Sequence, residues 1–235
     1  MKNWKKYEIL WLILATTVII GLSLYWKDTP IGIVSAVTGV LCVICTGKGS
    51  LWAYIWGAIN CALYGWIALE SKFIWEVALN WIYYLPLQFY GFYVWKKYMN
   101  NDTGEVIKIK MSNKGLLLML SGTLIGTLSL GHISKIFGGN LPFIDALSTT
   151  VSIVAMIVSI KRYSEQWILW IIVNIVTIIM WSYNFFITGG EDIATLLMWI
   201  IYLFNAIFSY IKWEKECHSN KIIKHNKQTK VIANV

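Results

Sequence analysis

Eight apolar runs of 17 to 22 residues, at about 8–26, 30–46, 51–69, 74–95, 115–131, 143–160, 167–187 and 193–213, occupy about two thirds of this 235-residue chain. A bilayer core about 30 Å thick takes roughly 20 helical residues at 1.5 Å rise each, so each run predicts one membrane-spanning helix. Only 14% of the residues are charged and the mean hydropathy is +0.60. A soluble domain carries about 25% charged residues, which excludes an ordinary water-soluble enzyme and a disordered chain. The expectation is an all-α polytopic membrane protein with eight transmembrane helices.

The net charge of +8 could mean a nucleic-acid partner, so its distribution matters. If the eight runs span, connections alternate between the two faces. One face collects Lys2, Lys5, Lys6, Lys48, Lys96, Lys97, Lys108, Lys110, Lys114, Lys161, Arg162, Lys212, Lys215, Lys221, Lys224, Lys227 and Lys230. The other collects Lys27, Lys72 and Lys135. By the positive-inside rule, this 17:3 division predicts that both termini are cytoplasmic, and it leaves no reason to invoke nucleic acid. The first run lacks a small-x-small cleavage site before Lys27, so it reads as an uncleaved helix. Trp26, Trp52, Trp95, Trp167 and Trp213 stand at run ends and read as interfacial belt residues. Cys42, Cys45, Cys61 and Cys217 read as small buried hydrophobes, because no histidine is placed to complete a metal or redox site with the C-x-x-C at Cys42 and Cys45.

Halves of the chain resemble each other. Run two opens on Pro30 and run six on Pro142, a displacement of 112 residues. Run three holds W-x-x-x-N at Trp56 and Asn60, and run seven holds it at Trp170 and Asn174, displaced by 114. Tyr84 to Trp95 closes run four and Tyr202 to Trp213 closes run eight, displaced by 118. The reading is two three-helix bundles of the same orientation, 30–95 and 142–213. A basic cytoplasmic loop and linker helix at 96–141 join these parallel repeats. Residues 1–29 add a cytoplasmic N-terminus and an extra transmembrane helix, and 214–235 form a basic cytoplasmic tail.

Polar side chains inside such runs cost free energy unless they are paired or face water, which makes each a functional candidate. Asn80, Tyr84, Gln88 and Gly91 recur at i, i+4, i+8 and i+11 and share one stripe of a helix. The stripe could read a ribose or an amide, or join helices with Gly91 as a close-approach point. Asn60 and Asn174 could line a cavity between the halves or clamp each bundle internally. Trp56 and Trp170 could stack on a flat ring and would tolerate a cationic one. Asp145 reads as an ion-coupling group or as a carboxylate at a helix N-terminus. Thr149, Thr150 and Ser152 face the cavity or bond back to their own helix. Glu165 with Lys161 and Arg162 reads as a solvated salt bridge or a gate. Glu76, Glu191 and Asp192 read as solvated face. No Walker A loop, H-E-x-x-H or G-x-S-x-G is present, and the expectation is no enzyme, no cofactor and no metal.

The stretch PFIDALSTTVSIVAMIVSIKRYSEQWILWIIVNIV at 142–176, with P-F-x-D, R-Y-x-E-x-W and W-x-x-x-N, resembles the second-half signature of the PnuC family of vitamin transporters. Asn80, Tyr84, Gln88, Gly91 and Trp95 resemble its first-half signature. The resemblance covers roughly 30–213 and implies a SWEET-like arrangement of two three-helix bundles and a linker helix. It further implies uptake of nicotinamide riboside through the cell membrane by facilitated diffusion, with a cytoplasmic kinase trapping the substrate as its phosphate. Relatives in the family carry thiamine, riboflavin or deoxynucleosides. Carried over by position, the substrate-binding residues would be Asn60, Asn80, Tyr84, Gln88, Trp170, Asn174 and Tyr202. Run eight departs from the pattern, with Ala206 in register with Gln88, Asn205 beside it, and Ser209 in place of Gly91. The implied partners are a small vitamin, the lipid bilayer and the trapping kinase. Whether copies associate into a homo-oligomer is left open.

Overall fold

The computed structural model describes residues 4–25, 27, 29–70, 77–136, 142–188 and 193–233, without the side chains of 145, 180, 181, 183–198 and 220–233. Lys2, Trp26, Lys72, Glu76, Glu191 and Asp192 therefore lie outside the described residues, as do the side chains of Asp145, Lys221, Lys224, Lys227 and Lys230.

Eight helices are formed among the described residues: α1 (Lys6–Tyr25), α2 (Pro30–Lys48), α3 (Trp52–Glu70), α4 (a π-helical turn Ala78–Tyr84 running directly into α-helical Leu85–Lys97), α5 (Asn113–Ile136), α6 (Pro142–Ile160), α7 (Gln166–Thr188) and α8 (Ile193–Ala233). The prolines that open α2 and α6 have the fixed φ suited to a first turn and lack an N–H that would go unused there. Thr29 caps α2 by accepting a bond from the Gly32 N–H at 3.1 Å. Pro86 sits inside α4. Its ring cannot donate to the preceding turn and clashes with it. The helix widens just before it, so that the Leu85 N–H reaches the Asn80 carbonyl, five residues back.

Among the described residues, α1, α2, α5 and α6 are long and apolar enough to cross a membrane by length and composition. Their outer faces are apolar: Leu10 on α1 is 67% exposed and Leu118 on α5 is 74% exposed. In water such surfaces would aggregate; in hydrocarbon they are the correct solvent contact. Helices α2, α3 and α4 pack in succession, as do α6, α7 and α8. The two groups meet where α2 packs on α8 and α4 packs on α6, while α1 lies against α2 and α5 against α6.

The expectations for span five and for three of the run-end tryptophans need correction. Span five is not 17 residues but the 24-residue α5, so His132 and Lys135 belong to its last turns. The tail after Trp213 continues as helix to Ala233. Trp95, Trp167 and Trp213 are not belt residues: they are buried in one cluster with Tyr54 and Met156, because α2, α4, α6, α7 and α8 converge at the end of the molecule that carries Lys48 and Lys212. Trp52, 58% exposed, keeps the belt position. The basic connection at 98–112 is tied into the fold by backbone bonds. The Val106 N–H binds the Gly49 carbonyl at 2.8 Å, the Ile109 N–H binds the Arg162 carbonyl at 3.1 Å, and the Ser164 N–H binds the Ile109 carbonyl at 3.0 Å. The segment is sewn between the turn after α2 and the turn before α7.

Candidate functional site

The α4 stripe folds inward. Asn80, Gln88, Gly91 and Trp95 are all buried, and Tyr84, partly buried, lies beside Tyr83 with ring centroids 5.2 Å apart. The Gln88 amide donates to the Cys61 sulfur of α3 at 3.8 Å. It can lie so close to α3 because position 57 is glycine; a Cβ there would stand 2.6 Å from Gln88 Oε1.

Asn60 and Tyr202 come together over α2 from opposite groups. A Cβ on Gly39 would be 2.7 Å from the Tyr202 hydroxyl and 3.1 Å from Asn60 Nδ2. The same Asn60 nitrogen donates to the Ser35 carbonyl at 2.8 Å and lies 3.3 Å from its hydroxyl. Asn60 thus clamps α3 to α2. Asn174, one turn after Trp170 on α7, does not repeat that bond. It is 4% exposed, and its side chain makes no such bond to α6 among the described residues. Trp170, partly buried, borders both large apolar clusters, and Tyr84 borders one of them. Tyr202 meets Trp199 edge-on with centroids 5.5 Å apart.

Further residues of the interface between the groups were not singled out by the sequence. Tyr83 donates its hydroxyl to the Ile153 carbonyl at 2.8 Å, and Asn205 donates its amide to the Val43 carbonyl at 3.0 Å. Both run from the last helix of one group to the first helix of the other. Asn205 was visible as a polar side chain in an apolar run but was out of register with Gln88. Tyr83 offered no signal beside Tyr84. Trp56 stacks at 6.4 Å on exposed Trp52. Glu165 forms no salt bridge with Lys161 or Arg162: its carboxylate accepts the Met111 N–H at 3.1 Å, while Arg162 lies over the Tyr98 ring at 3.6 Å. Thr150, whose hydroxyl has no hydrogen-bond partner among the described residues, packs against Gly126 of α5.

The end bearing Lys48 and Lys212 holds a dense set of charges. Glu8 pairs with Lys48 at 2.7 Å and Lys212 at 2.9 Å; Glu105 pairs with Lys48 at 2.7 Å, with Lys212 at 3.5 Å and with Lys108; and Lys108 also pairs with Glu216. Burial opposes ionisation of Glu105, but Lys108, Lys48 and Lys212 outweigh it and hold its carboxyl below the ordinary carboxylate range. A pocket of about 260 Å³ bordered by Trp4, Lys48, Trp52 and Thr103 opens at this end and contains none of the residues of the α4 stripe.

Apolar-faced helices in two groups, with neutral polar and aromatic side chains gathered where the groups meet, follow the plan of a polytopic membrane transporter. A family profile described as nicotinamide mononucleotide transporter matches residues 29–215. The nicotinamide riboside transporter PnuC of Neisseria mucosa is 36% identical over 217 residues, covering 91% of this chain and 82% of that protein. The protein of the same name from Haemophilus influenzae is 34% identical over 217 residues, covering 92% of each. A solved structure, the crystal structure of the vitamin B3 transporter PnuC, superposes with a TM-score of 0.81 at 34% identity, covering 93% of this chain and 95% of that one. The chain belongs to the PnuC family of membrane transporters. It is a multi-pass cell membrane protein and not an enzyme.

Proposed function

We propose that this protein carries nicotinamide riboside across the cell membrane by facilitated diffusion. The observation that carries the reading is the chemistry of the candidate residues: Asn60, Asn80, Gln88 and Asn174 are neutral amides, and Tyr84, Trp170 and Tyr202 are aromatic. Amides donate and accept at once and suit ribose hydroxyls and a carboxamide. Aromatic faces suit a cationic pyridinium. The family profile's description names a mononucleotide and the relatives' names a riboside; the difference is one phosphate. A phosphate calls for Arg, Lys or a helix N-terminus, and the seven residues include no cation. Lys48, Lys108 and Lys212 are engaged with carboxylates at one end of the bundle. The riboside is therefore the better fit.

Two parallel three-helix repeats rocking about the site give the mechanism. Support comes from the reciprocal packing of α2 on α8 and α4 on α6 and from the Trp95 N–H bond to the Ser159 carbonyl and the Trp213 N–H bond to the Gly47 carbonyl, whose donors are displaced by 118 residues and whose acceptors by 112. The 17:3 division of basic residues supports cytoplasmic termini. Uniport alone only equalises concentrations, so accumulation needs a trapping reaction, which a cytoplasmic kinase would supply by adding the phosphate that the site does not accommodate. A thiamine carrier on the same scaffold is the competing reading, since its thiazolium suits the same walls.

Competition for entry of labelled nicotinamide riboside into proteoliposomes tests the substrate. Unlabelled riboside should abolish uptake, while nicotinamide mononucleotide and thiamine at the same concentration should leave most of it. Stronger competition by thiamine or by the mononucleotide would assign a different substrate.

A further inference from the structure

Trp95 and Trp213 are each fully buried, with ring centroids 6.0 Å apart. The Trp95 indole N–H, on α4, donates to the Ser159 carbonyl near the end of α6 at 3.1 Å. The Trp213 indole N–H, on α8, donates to the Gly47 carbonyl near the end of α2 at 2.9 Å. The two donors are displaced by 118 residues and the two acceptors by 112, the displacements that relate the tyrosines and prolines of the two halves. Each indole thus crosses from its own group to the opposite one, and the pair closes the interface at the end where Lys48 and Lys212 stand. Directly above lies the charge cluster: the Lys108 ammonium is 5.6 Å from the centre of the Trp213 ring and pairs with Glu105, which also binds Lys48 of α2 and Lys212 of α8.

We propose that Trp95 and Trp213 form the gate at the basic end of the transport path, and that Glu8, on α1, and Glu105, on the connecting segment, latch it by holding Lys48 and Lys212 together across the two groups. The proposal rests on the transporter reading above. Separation of α2 from α8 and of α4 from α6 must break both indole bonds and disperse the charges. Interfaces made this way switch between two arrangements and do not deform gradually. A latch of buried charges suits a gate, because water entering the opened state repays the desolvation that the closed state suffers.

Native Cys61 reports on the gate. It is buried, touches Gln88 and lies about 14 Å along α3 from Trp52, at 1.5 Å per residue, so on this proposal its labelling by a membrane-impermeant maleimide from the basic end rises when the gate opens. The experiment uses full-length protein carrying Cys217→Ser in vesicles sorted by which face exposes the tail, with modified Cys61 measured by mass spectrometry. Trp95→Phe and Trp213→Phe should each raise labelling from the basic end about fivefold, the shift produced by about 1 kcal/mol, the net worth of one hydrogen bond. Glu8→Gln combined with Glu105→Gln should raise it at least as much. Labelling from the opposite face should stay constant or fall, whereas general loosening of the fold would raise it from both faces. No change in any of the three variants, a response to only one of the two tryptophans, or a rise from both faces would overturn the proposal. Should one variant fail to fold, the other two decide. Failure of the unsubstituted protein to take up nicotinamide riboside would count against the transport reading and leave the labelling result intact.

Discussion

Replacing Asn80 and Gln88 together by alanine should reduce nicotinamide riboside uptake by about a hundredfold or more while leaving a folded protein. Each residue offers a buried amide to the middle of the bundle, and a hydrogen bond lost to a desolvated partner costs about 1–3 kcal/mol. Two losses near the middle of that range, about 4 kcal/mol together, exceed two powers of ten at about 1.4 kcal/mol each. Gln88 is the cleaner probe of the pair: its one described hydrogen bond is a long contact to a cysteine sulfur at 3.8 Å, so little native stability depends on it. Initial uptake rates, with thermal melting of the purified protein as the control for folding, check the prediction. Uptake unchanged in the double variant would remove α4 from the site and leave the helical architecture untouched.

The largest effect on stability is expected at Gly91. A Cβ there would overlap the Tyr54 ring, and that ring cannot move aside: Tyr54 is 5% exposed and meets Trp95 edge-on with centroids 5.0 Å apart. Gly91→Val should therefore cost about 1–3 kcal/mol, as overpacking of a filled core does, and more if Trp95 is pushed off its bond to the Ser159 carbonyl. Gly122 on α5 is the matched control, because nothing lies within 4 Å of a Cβ built there. Gly122→Ala should leave the melting temperature unchanged or raise it slightly, since alanine is the better helix former by up to about 1 kcal/mol. Equal melting temperatures for Gly91→Val and the parent protein would show that Tyr54 does not pack as described. This contact gives the small residue in the α4 stripe its structural reason, and it lies between α3 and α4, not between the two halves.

The helices were legible because apolar runs of this length can satisfy their backbone in hydrocarbon only as helices; prolines 30 and 142 even marked the first residues of α2 and α6. The repeat displacements were legible too, and the indole contacts of Trp95 and Trp213 follow the same spacing. What the pattern could not convey was the direction in which a residue at a run end faces. Tryptophans 95, 167 and 213 occupy positions suited to an interfacial belt, yet tertiary convergence buries them. Glu105 and Lys108 lie in the basic connecting loop, and only the three-dimensional closeness of Lys48 and Lys212 turns them into a buried cluster. The widened turn before Pro86 had a signal, a proline within a long apolar run, that pointed to a helix irregularity. Among the candidate site residues, Asn60 and Tyr202 meet at Gly39, and Tyr84 and Trp170 border one cluster. Which of them touch substrate is a matter of chemistry that residue types alone suggest.

Counterflow in liposomes containing this protein alone tests the central claim most directly. Labelled nicotinamide riboside should enter vesicles preloaded with the unlabelled compound and, without preloading, should stop at equal concentrations inside and out, whether or not a protonophore is present. Accumulation above the external concentration that a protonophore abolishes, or no entry of the riboside under either condition, would contradict the account.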